Sequence, residues 1–239
     1  MHKLLGLVRR CAEDYRMISP GDRICVGVSG GKDSLTLLVL LAKLRDFYPA
    51  PFELCAVTID MGLGMDFTPV AGLCRELDIP YECVRTEIGP IIFDYRKEKN
   101  PCSMCAKMRR GALNEQLKKM GCAKVALGHH HDDAVETFLM SLLFEGRISC
   151  FQPVTYLDRT GVTQIRPMLY LNEQQVIHFA DAQNLPVVHN PCPADKHTKR
   201  QEIKDLIYRL GADYPDIKDR IFGAMQRFPL PAWGVSDSE

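Results

Sequence analysis

The chain has 239 residues, of which 46% are hydrophobic and 25% charged, values typical of a globular protein with one large core. Thirty Lys and Arg residues balance thirty Asp and Glu residues, so the protein has no net positive charge that would attract nucleic acid. Any surface that binds nucleic acid therefore has to be a local positive patch. No apolar run is long enough to cross a bilayer and residues 1–10 lack an export-signal pattern, so we expect a cytoplasmic protein with no membrane partner and mostly reduced cysteines.

Short apolar segments alternate with helix-like segments along the whole chain. Strands are predicted at 23–28, 52–60, 80–86, 123–127, 163–169 and 186–189. Helices are predicted at 33–47, 67–77, 102–120, 133–144, 172–184, 199–210 and 217–228. This alternation predicts an α/β fold with a doubly wound parallel sheet and a helical C-terminal tail, and ligands of such sheets bind at the carboxyl ends of the strands.

The same pattern predicts one domain rather than two, because no linker or internal repeat interrupts it. We expect four regions: an N-terminal helical segment, the sheet domain, a helical extension of that domain, and a flexible tail. Their predicted bounds are 1–20, 21–195, 196–230 and 231–239. Three cysteines within or beside apolar strands, Cys25, Cys55 and Cys83, are predicted to be small core residues.

A glycine-rich turn follows the first predicted strand and leads directly into a helix. It reads Ser29-Gly30-Gly31-Lys32-Asp33-Ser34. Small residues let the backbone approach an oxyanion closely, and the N–H groups at a helix start favour phosphate. Asp33 is a candidate ligand for magnesium bound to phosphate oxygens. A plain strand-to-helix turn is the alternative, and the GxxxxGK[ST] spacing of phosphate-transferring NTPases is absent.

Three histidines and two aspartates follow the fourth predicted strand, in the segment Gly128-His129-His130-His131-Asp132-Asp133. A zinc site formed by His129 and His131 is one interpretation, although ligating pairs on helices prefer a spacing of three or four. Helix capping by Asp132 or Asp133 is a second interpretation.

Two cysteines, Cys102 and Cys105, share one face at the start of a predicted helix, where the helix dipole favours thiolate. Cys192, in a loop fixed by prolines, is the best third ligand. Three thiolates suit a 4Fe-4S cluster whose fourth iron is open to sulfide. The alternatives are a structural zinc site with a fourth ligand, a thiol pair that carries persulfide sulfur, and cysteines without a shared role.

The hexapeptide at 29–34 resembles the pyrophosphate loop of the PP-loop ATP pyrophosphatases, which cleave ATP to AMP and pyrophosphate. The resemblance implies an ATP site that includes Ser29, Gly30, Gly31, Lys32, Asp33 and Ser34, with Ile59 near the adenine. The segment at 128–133 resembles the Gly-His-x-x-Asp-Asp motif of these enzymes. That likeness implies that Gly128 and His129 lie against the nucleotide and that both aspartates lie near the reacting centre. Asp132 is the first candidate for a catalytic or metal-orienting carboxylate, and Asp133, the second, is also predicted to bind the nucleotide.

The segments 101–113 and 126–146, together with Cys192, resemble the tRNA 2-thiocytidine synthetase family. The resemblance implies that Cys102, Cys105 and Cys192 hold a 4Fe-4S cluster and that Arg109 lies near the site. It also implies that ATP and magnesium activate a cytidine of tRNA, whose oxygen is then replaced by sulfur. The implied partners are tRNA, sulfide or a cysteine-desulfurase-derived sulfur donor, and a second copy of the chain in a homodimer.

Two clusters of basic residues, within 96–110 and 196–204, border the proposed cysteine ligands. We predict that they contact the phosphate backbone of tRNA, with a solvated charged face as the alternative. Two other functions fit the same motifs. One is ATP-dependent thiolation of another nucleoside or a small molecule, and the other is a nucleotide-binding sensor whose cysteines form a redox or zinc switch without turnover.

Overall fold

The computed structural model describes residues 1–95, 101–192 and 199–227, apart from the side chains of Asp94 and Cys102. The helices are His2–Asp14 (α1), Lys32–Arg45 (α2), Thr68–Glu76 (α3), Ile88–Pro90 (α4), Pro101–Lys119 (α5), His131–Glu145 (α6), Glu173–Ala182 (α7), Lys199–Asp213 (α8) and Ile217–Arg227 (α9). The strands are Asp22–Gly27 (β1), Phe52–Asp60 (β2), Tyr81–Arg85 (β3), Lys124–Ala126 (β4), Val154–Leu157 (β5) and Val162–Ile165 (β6). A π-helical turn, Ile91–Tyr95, continues directly from α4.

One six-stranded sheet with the order β3-β2-β1-β4-β6-β5 organises the fold. Its strands run parallel except for β5, which pairs antiparallel with β6 at one edge. The predicted α/β class, the largely parallel sheet and the helical C-terminal region are confirmed. The carboxyl ends of β1, β2 and β4 therefore meet at one edge of the sheet, where the predicted motifs follow them.

Two strand assignments from the sequence differ from the structure. The antiparallel strand β5 was not predicted, because its four residues are at the lower limit of the length at which a strand pattern can be recognised. The predicted strand at 186–189 is wrong, because no described strand includes these residues. Instead, the Val188 N–H donates to the Gly30 carbonyl oxygen at 2.9 Å, which holds this extended segment against the glycine-rich loop.

Helix α2 lies at the centre of the main core, with α1 and α7 packed against it. Its fully buried leucines are Leu35, Leu37, Leu38, Leu40, Leu41 and Leu44. A helix that is apolar on all sides has to be covered on all sides, which explains its uninterrupted hydrophobic run. Helices α8 and α9 pack on α6 and extend the same core.

A second buried cluster contains Cys25, Cys55, Cys122 and Leu117. The predictions for Cys25 and Cys55 are confirmed, and the sulfur of Cys55 lies 3.2 Å from that of Cys122. The prediction for Cys83 is wrong, because this residue is exposed. It lies on β3, an edge strand with little cover on its outer side.

We expect Leu38→Ala to lower the free energy of unfolding by about 2–5 kcal/mol, because it leaves a cavity in the centre of the core. The matched control is Leu143→Ala on α6, where the leucine is 53% exposed and its loss should change stability by less than about 0.5 kcal/mol. Urea unfolding followed by circular dichroism measures both. Equal losses in the two variants would contradict the placement of α2 in the core.

Candidate active site

The glycine-rich loop connects β1 to α2 in a conformation that requires glycine. Gly30 has a φ of +83°, and a Cβ added there would lie 3.0 Å from the Cβ of Val188. The hydroxyl oxygens of Ser29 and Ser34 are 3.1 Å apart, and Ser34 also accepts the Ser29 N–H at 3.1 Å. The loop therefore presents backbone N–H groups and two hydroxyls at the start of a 14-residue helix, an arrangement that suits phosphate.

The segment after β4 is pressed against this loop. A Cβ added at Gly128 would lie 3.0 Å from the backbone of both Asp33 and Ser34. A side chain at that distance would have to push the backbone away by a few tenths of an ångström, so the glycine favours direct contact between the end of β4 and the first turn of α2. The two motifs that the sequence separates by almost 100 positions thus form one site.

His130, which the sequence analysis did not select, lies between the carboxylates of the two motifs. It is 3% exposed and caps α6, its Nδ1 accepting the Asp133 N–H at 3.4 Å while Asp133 accepts the His130 N–H at 3.0 Å. Its Nε2 lies 3.8 Å from Oδ1 of Asp33 and 3.5 Å from Oδ2 of Asp133. The spacing of three between His130 and Asp133 is that of a reciprocal helix cap, the signal that could have identified it.

Asp132 joins three helices. Its Oδ1 lies 2.5 Å from Lys218 Nζ on α9, and its Oδ2 accepts the Glu173 N–H at the start of α7 at 2.7 Å. Burial by itself would raise the pKa of Asp132, but these two hydrogen bonds outweigh it and hold the pKa below the ordinary value. The Nε2 atom of His130 lies near both Asp33 and Asp133, so Asp133, not Asp132, shares this nitrogen with Asp33.

An ion-pair network links the loop to α8. Lys32 Nζ lies 2.8 Å from Asp33 and 3.5 Å from Glu173, and Lys204 lies 3.1 Å from the same glutamate. Arg200 Nη1 lies 3.1 Å from Asp133 and 2.9 Å from the buried Glu136. Within the predicted basic segment 196–204, Arg200 and Lys204 therefore pair with internal acids, while Lys196 lies outside the described residues.

A cavity of about 300 Å³ opens at the carboxyl ends of β1, β2, β4 and β6. It brings together four predicted site residues: Ser29, Ile59, Arg109 and His129. Arg110, Gln164 and Arg166 also line it, with Leu113 and Leu127 among its apolar residues. Helix α5, which carries the predicted cysteine pair, therefore shares a wall with the glycine-rich loop. Arg166 was missed because it follows a short strand without a recognisable motif.

His129 and His131 face different partners. The Nδ1 of His129 accepts the Arg166 Nε–H at 3.2 Å, and its ring lies 4.8 Å from that of Phe151. His131 instead lies 3.4 Å from Asp219 and stacks on Phe222, both on α9. The structure therefore does not bring these two histidines together as the zinc interpretation requires.

The described cysteines of the predicted cluster border the same region. Cys105 packs against the buried cluster of Met61, Ile88 and Ile92. Leu63 packs against the same cluster and lines a second cavity of about 430 Å³ with Pro191, the neighbour of Cys192. The Cys192 N–H donates to the Asn190 side chain at 3.2 Å. The side chain of Cys102 lies outside the described part. Among the side chains that the structure does describe, no group of three His, Cys, Asp or Glu is arranged to hold a metal ion.

Two basic residues of α5 lie at the cavity. Lys107, Arg109 and Arg110 are exposed, and both arginines line the cavity. The preceding basic residues Arg96, Lys97 and Lys99 lie outside the described residues. In the described part of the chain, no helix is both long and apolar enough to span a membrane.

Comparison with known proteins matches residues 6–210 to the PP-loop domain family. The chain is 39% identical over 227 residues to the tRNA-cytidine(32) 2-sulfurtransferase of Pelobacter propionicus, covering 93% of this chain and 84% of that protein. The protein of the same name from Geobacter sulfurreducens is 38% identical over 227 residues, with 93% and 88% covered. The U34-tRNA thiolase NcsA from Methanococcus maripaludis, solved with its 4Fe-4S cluster, superposes with a TM-score of 0.75 at 25% identity, covering 93% of this chain and 77% of that chain.

We expect Gly128→Ala to lower the free energy of unfolding by about 1–3 kcal/mol, because the added methyl group forces the two motifs apart. It should also weaken binding of a non-hydrolysable ATP analogue. Gly72→Ala, in a helix with open space around the glycine, is the control and should raise stability by up to about 1 kcal/mol. Urea unfolding and ligand titration provide the measurements, and an unchanged analogue affinity in Gly128→Ala would contradict direct contact between the motifs.

We expect His129 to stay neutral until about pH 4, because burial and then the charge of Arg166 lower its pKa from 6.5 to about 4. Since the unfolded state takes up this proton first, the free energy of unfolding should fall as the pH drops from 6.5 towards 4. Long-range ¹H–¹⁵N NMR should show an Nε2–H tautomer across this range. The His129→Gln variant assigns the signal. Titration near pH 6.5 would show that burial and Arg166 do not lower the pKa of His129.

Proposed function

Because the chain belongs to the PP-loop family and, within it, to the tRNA-cytidine(32) 2-sulfurtransferases, we propose that it adenylates the C2 oxygen of a cytidine in tRNA and replaces that oxygen with sulfur. One observation carries this proposal. The glycine-rich loop, the Gly128 segment and the cysteine-bearing helix α5 all line a single cavity. Activation by ATP and delivery of sulfur to the same carbon require such a common space.

The nucleotide is assigned to the loop and the cavity beside it. The proposed pyrophosphate site consists of Ser29, Gly30, Gly31, Lys32, Asp33 and Ser34. Ile59, Gly128 and His129 are proposed to contact the rest of the nucleotide, as the apolar wall near Ile59 and the close approach of Gly128 support. Magnesium would be held by Asp33, whose carboxylate is partly exposed beside Lys32. The bound cation would supply positive charge for the departing pyrophosphate.

The cysteine ligands fit a cluster by their chemistry. Cys105 and Cys192 are both partly buried, Cys105 against the apolar cluster of Met61, Ile88 and Ile92, and partly buried thiolates suit iron–sulfur clusters. We propose that both, with Cys102, hold a 4Fe-4S cluster. When bound, this cluster would supply sulfide at an iron with an open coordination position. Sulfide itself or a cysteine desulfurase is the proposed source of the sulfur.

The reaction balances without an external oxidant. The carbonyl oxygen of the base attacks the α-phosphorus, and the bond to pyrophosphate breaks. Sulfide then attacks the adenylated carbon, and AMP leaves with the original oxygen. Arg109, at the cavity wall, is proposed to neutralise the phosphate of this intermediate. Asp133 and His130 are proposed to position Asp33, whereas the internal pairs of Asp132 support a role in joining α6, α7 and α9.

The exposed positive charge of α5 at Lys107 and Arg109 is the proposed contact for the tRNA backbone. It flanks the cavity where the base has to enter. A homodimer and a cytoplasmic location remain predictions for this chain. Anaerobic purification with iron and labile-sulfide analysis is the first test, and about four irons per chain would support the cluster.

We expect Cys105→Ala and Cys192→Ala to abolish thiolation while retaining tRNA-dependent pyrophosphate release. Asp33→Asn should lower both by about 100-fold, because the adenylation step itself loses its charge neutralisation. The matched control is Cys83→Ala, an exposed thiol on β3, which should behave like the wild type. Mass spectrometry of digested tRNA measures 2-thiocytidine, and a phosphate-coupled assay measures pyrophosphate. Full thiolation by either cysteine variant would overturn the proposed ligand set.

A further inference from the structure

Arg166 is a buried cation without a buried anion beside it. The residue directly follows β6 in the chain and is 5% exposed. Its guanidinium donates to His129 Nδ1 at 3.2 Å, to the Gln152 carbonyl at 2.5 Å, to Thr155 Oγ1 at 3.2 Å and to Gln164 Oε1 at 3.2 Å. All four acceptors are neutral. Within the described residues, no carboxylate forms an ion pair with this side chain.

The Phe151 ring, whose centroid lies 4.9 Å from the guanidinium carbon, stabilises the charge only in part. Burial lowers the pKa of Arg166 to about 10, with Cys150 acting to raise it and the positive charge of Arg110 acting to lower it further, so the side chain still carries its charge at neutral pH. A buried charge that is hydrogen-bonded but not neutralised lowers the stability of the protein unless a ligand supplies the opposite charge. Retention of the cation here therefore points to an anionic ligand.

The cavity itself has the composition of an anion site. Arg109, Arg110 and Arg166 line it, and none of its described lining residues is Asp or Glu. Because His129 Nδ1 accepts from Arg166, the neutral ring carries its proton on Nε2 and offers one more donor. Four of the five guanidinium N–H groups of Arg166 are used by the acceptors named above, which leaves one on Nη2.

We propose that Arg166, together with Arg110 and the Nε2–H of His129, forms the subsite for the α-phosphate of the nucleotide, the phosphate that leaves as part of AMP. This inference rests on the proposed function and adds two binding residues to it. The apolar walls at Ile59 and Leu127 suit a purine nucleoside, and Ser29 of the pyrophosphate loop lies in the same cavity. A backbone phosphate of RNA has the same chemistry and is the competing source of the anion.

The test compares AMP with adenosine, which lacks the phosphate, in calorimetric titrations of the full chain. Arg166→Met keeps the apolar stem and removes the charge, and should weaken AMP binding about tenfold to a hundredfold. Adenosine binding should change less than about threefold in the same variant, because no phosphate contact is lost. Arg110→Met, at an exposed position that leaves the fold intact, should also weaken AMP more than adenosine.

The control is Arg159→Met, an exposed arginine in the turn between β5 and β6, which should bind both ligands as the wild type does. Equal losses of AMP and adenosine affinity in both cavity variants would show a structural role only and overturn the subsite. Weakened tRNA binding with unchanged AMP affinity would assign the anion to RNA and overturn the nucleotide assignment.

These titrations do not depend on the cluster or on sulfur transfer. If Arg166→Met weakens binding of AMP more than binding of adenosine, but the wild-type protein does not thiolate tRNA, the proposed function alone is overturned. A protein that thiolates tRNA but loses AMP and adenosine affinity equally in Arg166→Met would overturn the α-phosphate subsite alone.

Discussion

The site depends on one close backbone contact, between Gly128 and the first turn of α2. A side chain at this position would meet the backbone of Asp33 and Ser34 at 3.0 Å, so glycine allows the two loops to approach most closely. That contact places His130 between Asp33 and Asp133. It also puts the ends of β1 and β4 on one cavity, which α5 then covers with its arginines.

The charges around this contact follow a clear division. On one side, Lys32, Glu173, Lys204, Glu136 and Arg200 form a continuous network of ion pairs that links α2, α6, α7 and α8. On the cavity side, the arginines have no described acidic neighbour along the lining. Internal pairing links α8 to the rest of the fold, whereas the arginines of the cavity are available for the anion that we propose binds there.

The three strand cysteines illustrate how burial differs between an edge strand and the central strands of the sheet. Cys25, Cys55 and Cys83 all occur in strand-like sequence, but only the first two lie on strands with neighbours on both sides. The segment 186–189 contains two valines and was predicted as a strand. The Val188 N–H nevertheless donates to the carbonyl of Gly30, and the segment does not join the sheet. Strand propensity describes the local backbone, whereas pairing and burial depend on what the rest of the chain places alongside.

The sequence by itself determined the α/β class, the predicted helices, the glycine-rich loop, the second motif and the family, because these depend on local periodicity and on contiguous motifs. Only the tertiary structure decided that His130 lies between two aspartates, that Asp132 joins helices and that Arg200 pairs inward. It also revealed Arg166, which is recognised as a candidate anion-binding residue because it is buried without a described carboxylate beside it. These features arise from contacts between residues far apart in the chain, and no local pattern encodes which charges will meet.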